Sequence, residues 1–118
     1  MFEPKQYLTK IQGKDYLEVK WRIVWMRTEH QDWGIETEIV NIAPGAAQVK
    51  ATIRNGEGKI LAMAHKMETK SGFADYLEKA ETGAIGRALA LCGFGTQFTG
   101  TELEEGTRIV DAPVTKTK

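Results

Sequence analysis

The chain is poor in the residues that most directly announce chemistry: one cysteine, two histidines and three prolines in 118 residues, with no net charge. A lone Cys92 excludes an intramolecular disulfide and a cysteine-rich metal site, and suits a reducing compartment. His30 and His65 lie far apart and neither has metal-ligand spacing, so no metal is expected. No apolar run approaches the roughly 18 residues of a membrane span, and no basic segment followed by an apolar core opens the chain. A cytoplasmic protein without membrane contact is the expectation. With 16 basic against 16 acidic side chains, whole-chain charge gives no argument for a polyanionic partner. There is no Gly-rich phosphate loop ending in Lys-Ser/Thr, no Gly-x-Ser-x-Gly turn and no compelling Cys/His or Ser/His pair. Hence no catalytic residue and no cofactor are expected, and the protein is read as a non-enzyme.

What is present is one long helical signal, Phe73 to Gly95. At 100° per residue Phe73, Leu77, Ala80, Ala84, Ala88 and Leu91 fall in one arc, widened by Ile85 and Cys92. Ser71 is placed to cap the start and Gly93 to close the end in a left-handed conformation. Glu81 falls inside the apolar arc, where a carboxylate needs a partner, and is read as structural. Lys79, Gly83, Gly86 and Ala90 line another side, flanked by Arg87. Helix-interior glycines cost about 1 kcal/mol each relative to alanine, which points to a close approach by another backbone.

Before this helix, Phe2 to Ile11 has apolar residues at helical spacing with Gly13 as a stop, predicting a short helix. Tyr16 to Arg27 fits two periods. Leu17, Val19, Trp21, Ile23 and Trp25 alternate as in a strand, while Val19, Ile23, Met26 and His30 share one side of a helix. Trp33 to Ile42, Ala47 to Arg54 and Lys59 to Met67 each alternate, separated by Ala43-Pro44-Gly45 and Asn55-Gly56-Glu57-Gly58 turns, so a three-stranded meander is expected. In the last strand Leu61, Met63, His65 and Met67 form the alternating set. The fold class is therefore α+β: a three-stranded antiparallel β-meander, then a long helix packed on one face, with short helices in front. Residues 1–98 form one domain and 99–118 a flexible, polar and acidic tail.

Charge is patterned locally. Lys20, Arg22 and Arg27 interleave with Trp21 and Trp25, an arrangement that can hold phosphates and stack bases, although core tryptophans with a solvated charged face would read the same way. Lys50 and Arg54 share a strand face, and Lys59, Lys66 and Lys70 surround the last hairpin and the approach to the helix.

Tyr16-Leu-Glu-Val-Lys-Trp-Arg-Ile, Trp33, the meander, and Glu78-Lys-Ala-Glu-Thr-Gly-Ala-Ile-Gly-Arg-Ala-Leu closed by Gly93-Phe-Gly together resemble the Rad fifty-two type of single-strand annealing protein. The likeness is to its DdrA-like bacterial and phage branches and spans residues 14–98. It implies a helix over Tyr16 to Glu29, assembly into rings or arcs, and single-stranded DNA in a basic groove between meander and helices. Arg22 and Arg87 match DNA-contacting positions of that family, and Lys70 a basic one. Unlike the family, this chain has Gly86 and Ala90 where further basic residues can stand.

The expected function is single-stranded DNA binding and annealing in recombination or repair by a homo-oligomer, with a recombination or repair protein as a further partner. The DNA-binding set is Arg22, Lys20, Arg27, Trp25, Lys50, Arg54, Lys66, Lys70, Lys79 and Arg87. The alternatives are a protein-interaction module or accessory subunit, and an oligonucleotide-binding β-barrel, which needs a strand over Tyr16 to Arg27.

Overall fold

The computed structural model describes residues 1–72 and 74–95. The chain is α+β: a 3-10 turn (Pro4–Tyr7), a hairpin of β1 (Leu8–Ile11) and β2 (Lys14–Leu17), helix α1 (Val19–Glu29), a meander of β3 (Gly34–Ala43), β4 (Ala46–Arg54) and β5 (Ile60–Thr69), and helix α2 (Tyr76–Leu91). The meander is antiparallel in the order β3-β4-β5, with α2 laid across β4 and β5. The expected tail and Phe73 lie outside the described residues.

Only one of the expected N-terminal helices is a true helix. Residues 8–17 instead form the β1–β2 hairpin, because Gln12 and Gly13 both take positive φ, 55° and 78°, the geometry of a two-residue hairpin turn. Gly13 turns the strand rather than stopping a helix. Pairing sets Leu8 opposite Leu17 and Lys10 opposite Asp15, with Lys10 Nζ 2.7 Å from the Asp15 carboxylate. Tyr16 and Leu17 are thereby buried. The helix that the family resemblance implied over Tyr16 to Glu29 is present from Val19 onward, whereas Tyr16 and Leu17 belong to β2. A barrel strand over Tyr16 to Arg27 is excluded.

The core lies between the sheet and the helix pair. Val49, Ala51 and Ile53 of β4 and Ala62 and Ala64 of β5 meet Ala80, Ala84, Ala88 and Leu89 of α2, with Met26 and Phe94 closing the end. In β5 the alternating set Leu61, Met63, His65 and Met67 lies on the exposed side. Ala62 and Ala64 face inward, whereas Met63 and Met67, the latter 56% exposed, face solvent on the open side of the sheet. Register explains this: Ala62 pairs with Ile53 and Ala64 with Ala51, so they share the face under α2. The helix surface there is alanine and glycine, so it sits close to the sheet, and methionines would hold it off.

The arc predicted for α2 is right in its middle and wrong at its end. Ala80, Ala84 and Ala88 are buried, but Leu91 is 55% exposed, and Gly83, Gly86 and Ala90 are buried instead. Glu81 is exposed, and its carboxylate accepts a 2.7 Å hydrogen bond from the Thr37 hydroxyl. The helix begins at Tyr76 without a side-chain cap, and the Ser71 hydroxyl pairs with that of Thr69. Its end is as expected. Gly93 at φ 93° lets the Gly93 N–H reach the Ala90 carbonyl and the Phe94 N–H the Leu89 carbonyl, a complete Schellman closure that delivers Phe94 into the core.

Candidate nucleic-acid interface

The ten residues singled out from sequence do not form one track. Lys50 and Arg54 alternate with buried Val49, Ala51 and Ile53, so they stand on the open face of the sheet, away from the helices. There Lys50 Nζ lies 3.4 Å from Glu38, and Arg54 is paired with Glu36 and donates to the Gly58 carbonyl at 3.1 Å. Acidic β3 thus offsets this pair of cations, Glu38 directly opposite Lys50 and Glu36 on the diagonal from Arg54.

Arg22 is the clearest departure from expectation. It is 0% exposed, in the middle of the buried stripe of α1 with Val19 and Met26. Its Nε donates to the Leu17 carbonyl at 2.7 Å, its Nη1 donates to the Gly86 carbonyl at 3.1 Å, and its guanidinium lies 5.2 Å from the Tyr16 ring centroid. The planar fork ties the end of β2 to the middle of α2, a joint a flexible ammonium could not make. In this chain Arg22 is an internal clamp and not a surface cation.

Lys20 and Arg27 remain on the exposed stripe of α1, Arg27 donating to the Trp33 carbonyl at 3.4 Å. Trp25 is half-buried. Its ring is stacked with Phe2 at 6.0 Å, meets Phe94 edge-on at 5.2 Å, and sends its indole N–H to Glu29 at 2.7 Å.

Where cations do converge is the side of α2 that borders β5. The stem of Lys66 crosses the helix at Gly83: a Cβ there would stand 2.7 Å from Lys66 Cγ. Helical spacing sets Lys79 and Arg87 one turn on either side of that crossing, about 12 Å apart along the axis. The backbone approach suspected for Gly83 is in fact a lysine stem. Below it, Lys66 Nζ is 3.7 Å from the Glu68 carboxylate, which is 1% exposed. Lys70 stands at the end of β5, its N–H bonded to the Gly45 carbonyl at 2.7 Å. Lys66, Lys79 and Arg87 thus share one side of α2, on rigid elements, with Lys66 also reaching a buried carboxylate.

Sequence reasoning missed Glu68, because the alternating set it singled out in β5, Leu61, Met63, His65 and Met67, lies on the other face. Its alternation with Ala62, Ala64 and Lys66 was the available signal. Burial pushes the Cys92 thiol up from its ordinary value, as expected of a small hydrophobe beside the core. Among the described residues no trio of His, Cys, Asp or Glu is placed to hold a metal, and no helix is long and apolar enough to cross a membrane.

Enlarging Gly83 tests the lysine crossing. Gly83→Leu should destabilise the fold by about 1–3 kcal/mol through overpacking against the Lys66 stem, read as a lower urea midpoint. A midpoint equal to the parent's would show that the stem has another path.

Residues 23–92 match the model of the family described as Slr1353 N-terminal dsRNA-binding domain-like. No curated protein and no solved structure matches the chain. The matched span runs from α1 to the C-cap of α2, the α-β-β-β-α unit, and leaves out the N-terminal turn and the β1–β2 hairpin. With more than half of its length matched, the chain belongs to the Slr1353 N-terminal dsRNA-binding domain-like family.

Proposed function

We propose that this protein is a non-enzymatic single-stranded nucleic-acid-binding domain that holds phosphates along the Lys66, Lys79 and Arg87 strip and promotes annealing of complementary strands. The observation that carries the reading is the Lys66 stem laid across Gly83 between Lys79 and Arg87, which gathers three cations on one helix side in a chain of zero net charge. The resemblance to Rad fifty-two type annealing proteins supports DNA as the strand, recombination or repair as the setting, and a ring or arc of copies as the working form. Annealing needs no fuel, since base pairing drives it, and a binder that grips phosphates leaves the base edges free.

A second reading is duplex RNA binding. It is favoured by the family's description, and a duplex would be held by shape and backbone contacts rather than by sequence.

The deciding experiment offers the protein labelled single-stranded DNA and duplex RNA of equal length at low salt, and follows pairing of complementary DNA strands. The expected result is a shift of the single strand that fades steeply with salt, faster pairing, and a rise in particle mass by light scattering. Preference for duplex RNA with no effect on pairing would support the second reading. Binding to neither would leave a protein-interaction module.

A further inference from the structure

Trp21 and Trp25 lie four residues apart on α1, so their rings project from the same side of the helix. Both are covered by the N-terminal segment. Tyr7 lies against Trp21 with centroids 4.2 Å apart, Phe2 is stacked with Trp25 at 6.0 Å, and Phe2 and Tyr7 stack on each other at 5.0 Å and 10°. Little else holds this segment. Its 3-10 turn has no buried residue, and among the described residues its main chain bonds only within itself, Gln6 N–H to the Glu3 carbonyl. Lys20 is exposed next to the first indole, its Nζ 5.3 Å from the Trp21 ring centroid. Two flat rings one turn apart with a lysine alongside form a platform for successive bases and a phosphate. Phe2 and Tyr7 occupy it in the manner bases would.

We infer that the Trp21 and Trp25 face of α1 is a stacking site for unpaired nucleobases, closed in the free protein by an N-terminal strap of residues 1–7 whose Phe2 and Tyr7 rings a single strand displaces. This rests on the nucleic-acid reading above and adds a second contact to it, made through bases rather than phosphates. The strap hinges where β1 begins at Leu8, so it can leave without disturbing the hairpin pairing.

The test uses the full chain, a labelled thymidine oligonucleotide and an abasic strand of the same length. Phe2→Ala/Tyr7→Ala should bind the thymidine strand about tenfold more tightly than the parent, since two ring contacts no longer compete. Binding to the abasic strand should not change, and acrylamide should quench tryptophan fluorescence more strongly in the variant. In the parent, saturation with the thymidine strand should speed hydrogen exchange at the Gln6 amide, a measurement that holds even if the variant does not fold. A folded variant with no gain for thymidine, or unaltered Gln6 protection in the saturated parent, overturns the inference. A parent that binds both strands equally, with no gain in the variant, overturns the stacking site and its strap while leaving the phosphate contacts of the proposed function standing. A parent that binds neither strand removes the nucleic-acid reading as well.

Discussion

Replacing Arg22 with alanine is expected to cost the fold about 3–5 kcal/mol, a large part of what a domain of this size has to lose. The guanidinium is wholly buried and donates to carbonyls on two separate elements, Leu17 at the end of β2 and Gly86 inside α2. Its removal takes a donor from each and opens a void beside Gly95, where the Arg22 side chain lies about 3 Å from the position of a Cβ. Arg22→Lys should recover only a small part, because one ammonium cannot reproduce two divergent N–H bonds. Urea denaturation followed by circular dichroism reads the effect. A variant that unfolds at the parent's midpoint but no longer binds DNA would contradict the clamp and return Arg22 to the surface role that the family resemblance assigned it.

The second large effect is expected on binding. Lys79→Gln/Arg87→Gln should weaken single-strand binding roughly 10–100-fold at low salt and flatten the salt dependence, each lost phosphate contact removing about 0.7 from the slope of log affinity against log salt. Glutamine is the better test than glutamate, because it removes the cation without adding a new charge that would itself repel the strand. Lys50→Gln/Arg54→Gln serves as the comparison. That pair sits on the opposite face and is offset by Glu36 and Glu38, so it should change affinity little. Equal losses from the two double variants would mean that net charge matters and the α2 strip does not.

These expectations divide along the same line as the sequence reading. The meander and its turns were legible, since alternation in Trp33 to Met67 broken by Ala43-Pro44-Gly45 and Asn55-Gly56 specifies strands whatever packs on them. So was the end of α2, where Gly93 carries the closing turn locally. The β1–β2 hairpin was not, because four-residue strands are too short to show a period and its turn, Gln12-Gly13, is not among the strongest signals. Which face of β5 lies inside was not legible, since methionines outrank alanines in hydrophobicity but cannot fit under a helix of alanine and glycine.

The candidate site was legible only as a supply of cations. Sequence could say that Lys66, Lys79 and Arg87 are basic and that two of them share a helix side. It could not say that a lysine from β5 would cross that helix at Gly83, or that Arg22 would turn inward while Lys20 and Arg27 stayed out. By itself the sequence determined what depends on neighbours a few residues apart: strand alternation, turn positions, the helix span near its C-terminus and the absence of a disulfide. Tertiary structure decided what depends on distant partners. Which face of β5 is inside, which arginine is buried and which charges are offset are set by close packing of α2 on β4 and β5 and by carbonyls more than sixty residues apart in sequence. The energy of a charge follows from its surroundings, and those exist only once the chain has folded.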